Sequence, residues 1–297
     1  MRVGVMYSGI LDANGADYVA DFLGNAVRVS GNDLVKLGTF GGPQTQDIPD
    51  GLDVVIHSSG GFHLTPELIE KFKKKTKFFV WTHNDEIPNW HPSISTFTNL
   101  VHKHFSYTKA HNWGPHVEYL PIGGDHTVYF PIKGCVKRYD IGMVGCGHPW
   151  RRQFAERVKR TFPNCSFDFT MGLTHADINL IYNSTKVVIA PMQDCDQYNP
   201  EIVFGCPCRT FDVPASGAFQ LQVLRKGLED IHDGETIRQT TLKSTRDIDS
   251  VLPVWVDRIR YFLEHERERE ALAAQMHRQI MNKHLYLHRL NRMLEFV

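Results

Sequence analysis

The chain lacks an excess of charge of either sign. Lys and Arg together number 33, Asp and Glu also number 33, and the formal net charge is therefore zero. Proteins that bind nucleic acid or anionic membranes through a global field carry a strong positive excess. The balance excludes such a field, although it allows a local basic face.

Cysteines are few, and long apolar runs are missing. Six cysteines in 297 residues do not make a disulfide framework, and we expect reduced thiols in a cytoplasmic protein. No stretch approaches the roughly 18 apolar residues of a membrane span, and the first residues are typical of a strand rather than a signal peptide. The length allows one large domain or two of about 130–150 residues.

The first half of the chain alternates between strand-like and helix-like segments. Apolar runs at 2–7, 52–57 and 77–82 are typical of buried parallel strands. A helical pattern covers 12–28, and another helix begins at Thr65 and Pro66, which suit an N-cap and a first helical position. This alternation predicts a parallel, doubly wound sheet.

Polar and small residues follow each of these strands. Ser8 and Gly9, and later Gly60 and Gly61, stand where open α/β sheets bind ligands. His83 and Asp85 follow the strand at 77–82 and are suited to moving a proton near neutral pH. They are candidate catalytic residues, and the alternative is that they are ordinary polar loop residues.

The second half opens with a pattern that resembles a phosphate-binding turn. A strand over 139–144 leads into Gly145 and Gly147, and Arg151 and Arg152 fall on the first turn of the helix that follows. Backbone N–H groups at a helix start and arginine side chains both suit phosphate oxygens. The competing interpretation is that the arginines belong to a solvated helix face.

The stretch 208–221 reads as a wall of a nucleotide site. Arg209 and the acidic Asp212 precede a small turn at Ser216, Gly217 and Ala218. Small residues let the backbone approach a ligand closely, and an acid beside an anion site commonly holds ribose hydroxyls. A loop, a short helix and a strand of an ordinary α/β core would produce the same pattern.

These segments resemble the CgeB-like group of GT-B glycosyltransferases, which is named for a spore-maturation protein. The matching motifs, in chain order, are Leu-Pro-x-Gly-x-Asp with Phe-x-Pro at 119–131, a domain opening at 140–152, Tyr-x-x-Ser-Lys at 181–189, and Arg-x-Phe-Glu with Gly-x-Phe-x-Leu at 209–221. Together the motifs span residues 119–221, in the order and with the spacing of the family. The tail resembles the closing helices of the family.

The resemblance implies an α/β fold of two Rossmann-like domains that face each other across a cleft. Residues 1–131 would form the acceptor-binding domain, with Ser8, Gly9, Gly60 and Gly61 on the acceptor side. Residues 132–275 would bind a nucleotide sugar, most simply a UDP-sugar, and 276–297 would form a helix that crosses back to the first domain. The family needs no metal or other cofactor, because positive side chains and helix N-termini stabilise the leaving diphosphate.

The resemblance also assigns roles to individual residues. His83 and Asp85 would be catalytic. The nucleotide-binding residues would be Gly145, Gly147, Arg151, Arg152, Arg209, Asp212, Ser216, Gly217 and Ala218. Asp212 stands where the family has a ribose-binding Glu, and a second family Glu would fall at Gly205. The stereochemical outcome is therefore not fixed by the motif.

The leading hypothesis is a transferase that moves a sugar to a small molecule, a glycan or a protein. Three other functions compete with this hypothesis. One is a phage-type glycosyltransferase of hydroxylated DNA bases, with a basic rim formed by Lys71, Lys73, Lys74, Lys75, Lys77, His102, Lys103 and His104. Another is a nucleotide-sugar-binding protein without catalysis. The third, a zinc protein, is disfavoured because Cys206 and Cys208 form only one short pair.

Overall fold

The computed structural model describes residues 1–7, 18–37, 48–58, 64–82, 98–109, 116–145, 148–170, 172–192, 205–243 and 247–297. They form two compact units. Unit 1 comprises Met1–Ile122 and Tyr286–Val297, and unit 2 comprises Gly123–Leu285. The sequence places the domain boundaries after residues 131 and 275. No helix in the described ranges has the length and apolar character needed to cross a membrane.

Unit 1 is built on a six-stranded parallel sheet with the order β2-β1-β3-β4-β5-β6. The strands are β1 Arg2–Tyr7, β2 Asp33–Leu37, β3 Val54–Ser58, β4 Lys77–Thr82, β5 Lys103–Ser106 and β6 Val117–Tyr119. The helices described in this unit are α1 Tyr18–Val29, α2 Pro66–Lys73 and α9 Tyr286–Leu294. All of β3 and nearly all of β4 are buried, as expected for strands covered on both faces.

Helix α2 begins where the sequence predicts. The hydroxyl of Thr65 accepts a hydrogen bond from the backbone N–H of Leu68 at 3.3 Å, and Pro66 occupies the first turn. This N-cap satisfies a donor that the helix itself cannot pair, and Pro at this position sacrifices no internal hydrogen bond.

The last helix of the chain, α9, completes the core of unit 1. Tyr286 is buried and its ring lies against Phe22 of α1 and Trp81 of β4, with centroid separations of 5.5 and 5.8 Å. Arg289 donates to the carbonyl oxygen of Ile122 through Nε and Nη2 at 3.3 and 3.2 Å. Burial lowers the pKa of this guanidinium to about 10.

Unit 2 contains a five-stranded parallel sheet with the order β11-β10-β9-β7-β8. The strands are β7 Tyr139–Val144, β8 Phe167–Thr170, β9 Thr185–Ala190, β10 Gln220–Val223 and β11 Thr241–Leu242. The helices are α3 Pro149–Thr161, α4 His175–Ser184, α5 Arg209–Ala215, α6 Gly234–Thr240, α7 Ile248–Glu264 and α8 Glu266–Lys283. The two parallel sheets confirm the predicted α/β class.

One local prediction is wrong. The sequence predicts a helix over 222–228, whereas β10 extends to Val223 and only a short 3₁₀ turn, Leu228–Asp230, follows. The apolar pattern was shared by a buried strand and a helix, and periodicity over so few residues does not separate the two.

The two faces of the second sheet differ in polarity. Leu221 and Val223 point into an apolar core that includes Phe154, Trp255 and Phe262. Because side chains alternate along a strand, Gln220 and Gln222 point to the opposite face, where Thr210 of α5 donates to Gln222 Oε1 at 2.9 Å. Both glutamines are buried. The face that carries α5 is therefore the polar one.

Asn183 anchors the segment that opens unit 2 to helix α4. Its Oδ1 accepts from the backbone N–H of Ile132 at 2.7 Å, and its Nδ2 donates to the carbonyl oxygens of Phe130 and Asn179 at 3.0 and 2.9 Å. The side chain is buried. An amide is required here because the backbone presents both a donor and acceptors.

We expect Asn183→Ala to lower the free energy of unfolding of unit 2 by about 1–3 kcal/mol, since it leaves buried backbone groups without partners. Urea denaturation followed by far-UV circular dichroism measures the loss as a lower midpoint. Asn164→Ala, at an exposed asparagine of the same unit, is the matched control. Equal midpoints for the two variants would show that the Asn183 contacts contribute nothing net.

Candidate active site

The candidate site lies where the strand order of unit 2 reverses direction. After β7 the chain adds β8 on one side and β9 on the other, so the helices that follow these strands leave a crevice at the carboxyl ends of β7 and β9. Open α/β sheets bind ligands at such a point. Gly145 immediately follows β7 there, as the sequence predicts.

Two guanidinium groups converge on Gly145. The Nη1 atom of Arg209 donates to the carbonyl oxygen of Val144, the last residue of β7, at 3.0 Å. A Cβ atom added to Gly145 would lie 2.6 Å from Arg209 Nη1 and 3.4 Å from Arg151 Nη1. A side chain at residue 145 would therefore displace Arg209, and glycine is what lets this arginine approach the end of the strand.

The start of helix α3 reinforces this positive charge. His148 provides no side-chain cap, and the first turn contains no acidic residue. Arg151 is half-buried and Arg152 is exposed. Cations at a helix N-terminus oppose the helix dipole, which favours anions there. The arrangement is stabilised when an anion occupies the crevice.

Arg209 retains hydrogen-bonding capacity that the described residues do not use. Its Nε atom is buried and has no acceptor among them. A buried charged donor without an acceptor is costly. An oxyanion beside Gly145 would lie close to the Nη1 atoms of both Arg209 and Arg151, and guanidinium groups suit phosphate oxygens.

The backbone of α5 offers the site fewer unpaired N–H groups than the start of a helix usually does. The N–H groups of Thr210, Phe211 and Asp212 donate to the carbonyl oxygens of Pro207 or Cys208 at 2.8–2.9 Å. A preceding turn thus uses donors that a helix start usually leaves open. The Arg209 side chain is therefore the candidate anion-binding group of this helix.

Asp212 lies one turn beyond Arg209 and is buried, with 5% of its surface exposed. Burial raises the pKa of its carboxyl well above the usual value, the nearby Asp125 raises it further, and Arg209 opposes the shift. Its Oδ1 atom has no hydrogen-bond partner in the described parts of the chain. Asp212 therefore needs a hydrogen-bonding group that the described protein does not supply.

Two residues near Asp212, which are Asp125 and Tyr182, are identified in the sequence only as parts of the matched motifs. Asp125 is buried and its Oδ1 accepts from both the N–H and the hydroxyl of Thr127, at 2.8 and 2.6 Å. Tyr182 is buried, and burial together with the Asp212 charge raises the pKa of its phenol. Both residues belong to the matched motifs at 119–131 and 181–189, which is the signal that points to them.

The small turn at 216–218 lies at the other end of α5. Ser216 and Ala218 are buried, and the Ser216 hydroxyl donates to the carbonyl oxygen of Val213 at 2.6 Å. Gly217 has a positive φ of 74° and its N–H donates to the carbonyl oxygen of Pro214. These are the features of a helix C-cap, and they are not brought together with Arg209 and Gly145.

Several predicted site residues lie outside the described ranges. They are Ser8, Gly9, Gly60, Gly61, His83, Asp85 and Gly147. The strands that precede them are described: β1 and β3 are adjacent at the strand-order reversal of unit 1, and β4 ends at Thr82. The Thr82 hydroxyl lies 3.1 Å from Nε2 of the buried His104.

Two lysines of the proposed basic rim lie at the opposite edge of the sheet from the end of β4 that precedes the predicted catalytic residues. Lys77 and Lys103 are the first residues of β4 and β5, at the amino edge of the sheet, whereas His83 follows the carboxyl end of β4. A six-residue strand separates the two edges by roughly 16–20 Å.

The rim residues also have other roles. Lys73, Lys75 and Lys103 pair with Glu70, Asp50 and Glu118 at 3.1–3.2 Å. His104 is buried, and burial lowers its pKa to about 4. The lysines that follow α2 also favour its C-terminal dipole. The rim is therefore better explained as a charged surface than as a nucleic-acid site.

No group of three or more His, Cys, Asp or Glu side chains is arranged to hold a metal ion within the described ranges. Cys206 is buried and Cys208 is half-buried. The zinc alternative gains no support from these residues.

Comparisons with known proteins agree with this architecture. Sucrose-phosphate synthase from Thermosynechococcus elongatus is 10% identical, with a TM-score of 0.63 over 99% of this chain and 98% of its own. An alpha-glucosyltransferase in complex with UDP and a 13-mer DNA is 10% identical, with a TM-score of 0.65 over 99% of each chain. A glycosyltransferase of avilamycin A biosynthesis is 13% identical, with a TM-score of 0.62 over 100% and 96%. At such identities the likeness concerns the fold.

A search among curated proteins returned no match. A family model described as glycosyl transferase-like matches residues 136–295, which is more than half of the chain and includes most of the candidate site. The chain therefore belongs to the glycosyl transferase-like family and is a glycosyltransferase with the GT-B fold.

Proposed function

We propose that this glycosyltransferase moves a sugar from a nucleotide-diphosphate donor, a UDP-sugar, to an acceptor hydroxyl without a bound metal ion. The observation that carries the proposal is the convergence of Arg209 and Arg151 on Gly145 at the carboxyl end of β7. UDP in the complex of a similarly folded alpha-glucosyltransferase supports the choice of donor. The narrower assignment to the CgeB-like group rests on the motifs at 119–221.

In this proposal the arginines stabilise the charge that develops on the diphosphate as the sugar leaves. Two guanidinium groups in a partly buried site act on that charge without having to reorganise, which is the main source of electrostatic catalysis. Arg209 and Arg151 approach this position with their Nη1 atoms, and Arg152 adds positive charge at the start of α3. Gly145 lets Arg209 approach the end of β7, and Gly147 stays a predicted phosphate-binding residue.

Asp212 is the proposed contact of the ribose. Its Oδ1 atom is a buried acceptor without a described partner, and a ribose hydroxyl donates a hydrogen bond to such an oxygen. Asp is one methylene shorter than the family's Glu, so the ribose must approach α5 more closely. Ser216, Gly217 and Ala218 then support the site by ending α5 and turning the chain into β10.

The acceptor half of the site is proposed from the sequence. His83 and Asp85 would assist at the acceptor hydroxyl, and Ser8, Gly9, Gly60 and Gly61 would line the acceptor side. A similarly folded alpha-glucosyltransferase was crystallised with DNA, which keeps a DNA base among the acceptors to be tested beside small molecules, glycans and proteins.

The test of this function is the release of UDP from UDP-sugars by the purified protein, with and without candidate acceptors. We expect slow hydrolysis of a cognate UDP-sugar that an acceptor accelerates. A protein that binds UDP but cleaves none of the common UDP-sugars would instead be a nucleotide-sugar-binding protein. Oligonucleotides containing hydroxymethylated bases form the DNA arm of the same assay.

Arg209→Ala should weaken UDP binding about tenfold to a hundredfold, since a charge-assisted hydrogen bond is lost. Isothermal titration calorimetry measures the affinity, and a thermal melt checks the fold. Arg160→Ala, at an exposed arginine of α3, removes the same charge elsewhere in unit 2. Wild-type affinity in the Arg209 variant would refute the diphosphate assignment.

Gly145→Ala should weaken UDP binding about tenfold without removing any charge, because the new methyl group would meet Arg209 Nη1 and push it from the strand end. The control is Gly234→Ala, where an added Cβ meets nothing within 4 Å. If the Gly145 variant bound UDP normally, the close approach of Arg209 would be irrelevant to the donor.

His83→Ala should reduce turnover by about a hundredfold or more, as expected for loss of a general acid–base group, while UDP affinity stays within a factor of two or so. Steady-state kinetics and calorimetry on the same preparation separate the two effects. Unaltered turnover would remove His83 from the mechanism.

A further inference from the structure

Two glutamines of β10 lie next to each other on the polar face of the second sheet, and both are buried. The hydroxyl of Thr210 donates to Oε1 of Gln222 at 2.9 Å. The side-chain amide of Gln220, by contrast, has no hydrogen-bond partner among the described residues. One glutamine is therefore hydrogen-bonded to α5, and its neighbour on the same face is not.

The Thr210 hydroxyl is an anchor at the start of α5. Thr210 directly follows Arg209, and its side chain is completely buried. The helix has seven residues, and Cys208 before it contributes no side-chain hydrogen bond as an N-cap. A buried hydroxyl needs a partner within the protein, and Gln222 supplies it from the sheet. The first turn of α5 is thereby fixed to β10.

The other end of α5 is held by different groups. Nδ1 of His277, on α8, donates to the carbonyl oxygen of Pro214 at 2.8 Å. The backbone N–H of Gly217 donates to the same oxygen at 2.9 Å. Loss of the contact between Thr210 and Gln222 therefore leaves the end of the helix in place and loosens its first turn.

Consecutive residues of this first turn reach strands on either side of β9. Arg209 donates to the carbonyl oxygen of Val144 at the end of β7, whereas Thr210 donates to Gln222 of β10. Adjacent strands are about 4.8 Å apart, so the two contacts are anchored on strands roughly 10 Å apart. The bond to β10 opposes a shift of the turn toward β7.

This opposition matters when an anion lies beside Gly145. The anion attracts the Arg209 guanidinium, and the attraction pulls on the first turn of α5. A guanidinium stabilises developing charge best when it does not have to move, and such a group depends on the residues that hold its own support in place. Gln222 is in the right position to provide that support.

We propose that Gln222 is a positioning residue of the donor site, which acts through Thr210 to set where the Arg209 guanidinium meets a nucleoside diphosphate. The proposal rests on the proposed function, because it assumes that Arg209 binds the diphosphate. It extends that function to a buried side chain of the sheet.

The test compares variants of the full chain that remove this hydrogen bond with variants that do not. Gln222→Met and Thr210→Val each delete one partner and keep a similar shape. Gln220→Met removes a buried amide from the same face of the same strand, and Thr210→Ser keeps the hydroxyl. Isothermal titration calorimetry measures UDP affinity, and a thermal melt measures the stability of each variant.

We expect Gln222→Met and Thr210→Val to weaken UDP binding about twofold to tenfold, the range that corresponds to one hydrogen bond. Thr210→Ser should restore the affinity, and Gln220→Met should lower stability without changing it. Because Thr210 acts through Arg209, Thr210→Val should cause no further loss of affinity in the Arg209→Ala variant. A purely structural role would change the melting temperature alone.

The proposal is overturned if Thr210→Val binds UDP as the wild type does, or if it weakens binding equally with and without Arg209. An equal loss of affinity in Gln220→Met and Gln222→Met also contradicts it. If Gln222→Met does not fold, the comparison of Thr210→Val with Thr210→Ser decides the outcome. Failure of the donor proposal is recognised separately, by wild-type UDP affinity in Arg209→Ala.

Discussion

The reversal of strand order beside β7 is the constraint on which the site in unit 2 depends. Right-handed crossovers send the chain from β7 to β8 on one side and from β8 to β9 on the other. The helices that follow β7 and β9 therefore separate, and the carboxyl ends of these strands stay open. Arg209, at the start of the helix that follows β9, can reach the last carbonyl of β7 only because of this opening. The absence of a side chain at Gly145 then determines how close the guanidinium comes.

The polar face of the second sheet explains why unsatisfied groups cluster on one side of unit 2. Leu221 and Val223 belong to an apolar core, whereas Gln220, Gln222 and Asp212 include buried atoms without partners in the described ranges. Native proteins keep such atoms rare because each is costly. A face with several of them is one where ligands or ordered water complete the hydrogen bonding. The proposed ribose contact lies on this face.

Much of the fold could be predicted from the sequence, because it depends on local patterns. The strands at 139–144 and 77–82 follow from apolar runs, and the start of α2 follows from the capping chemistry of Thr65. The site could not be predicted in the same way, because it depends on how segments that are distant in the chain come together. Nothing in the local sequence shows that the turn at 216–218 closes the helix that Arg209 begins, or that Asp212 lies near Asp125. Nor does it show that Lys77 and Lys103 start strands at the opposite edge of the sheet from the carboxyl end of β4. His232 Nδ1 and Gln279 Oε1 lie 2.7 Å apart, although 47 residues separate them in the chain.

The placement of α9 has a consequence for how the protein is made. Unit 1 contains the first 122 residues together with Tyr286–Val297, whereas unit 2 is one continuous stretch between them. During synthesis, all the residues of unit 2 leave the ribosome before Tyr286 can pack against Phe22 and Trp81. The first six strands must therefore wait with part of their apolar core uncovered while the second unit is produced. Domains usually fold in the order of synthesis, and here the domain that begins first is the one that is completed last.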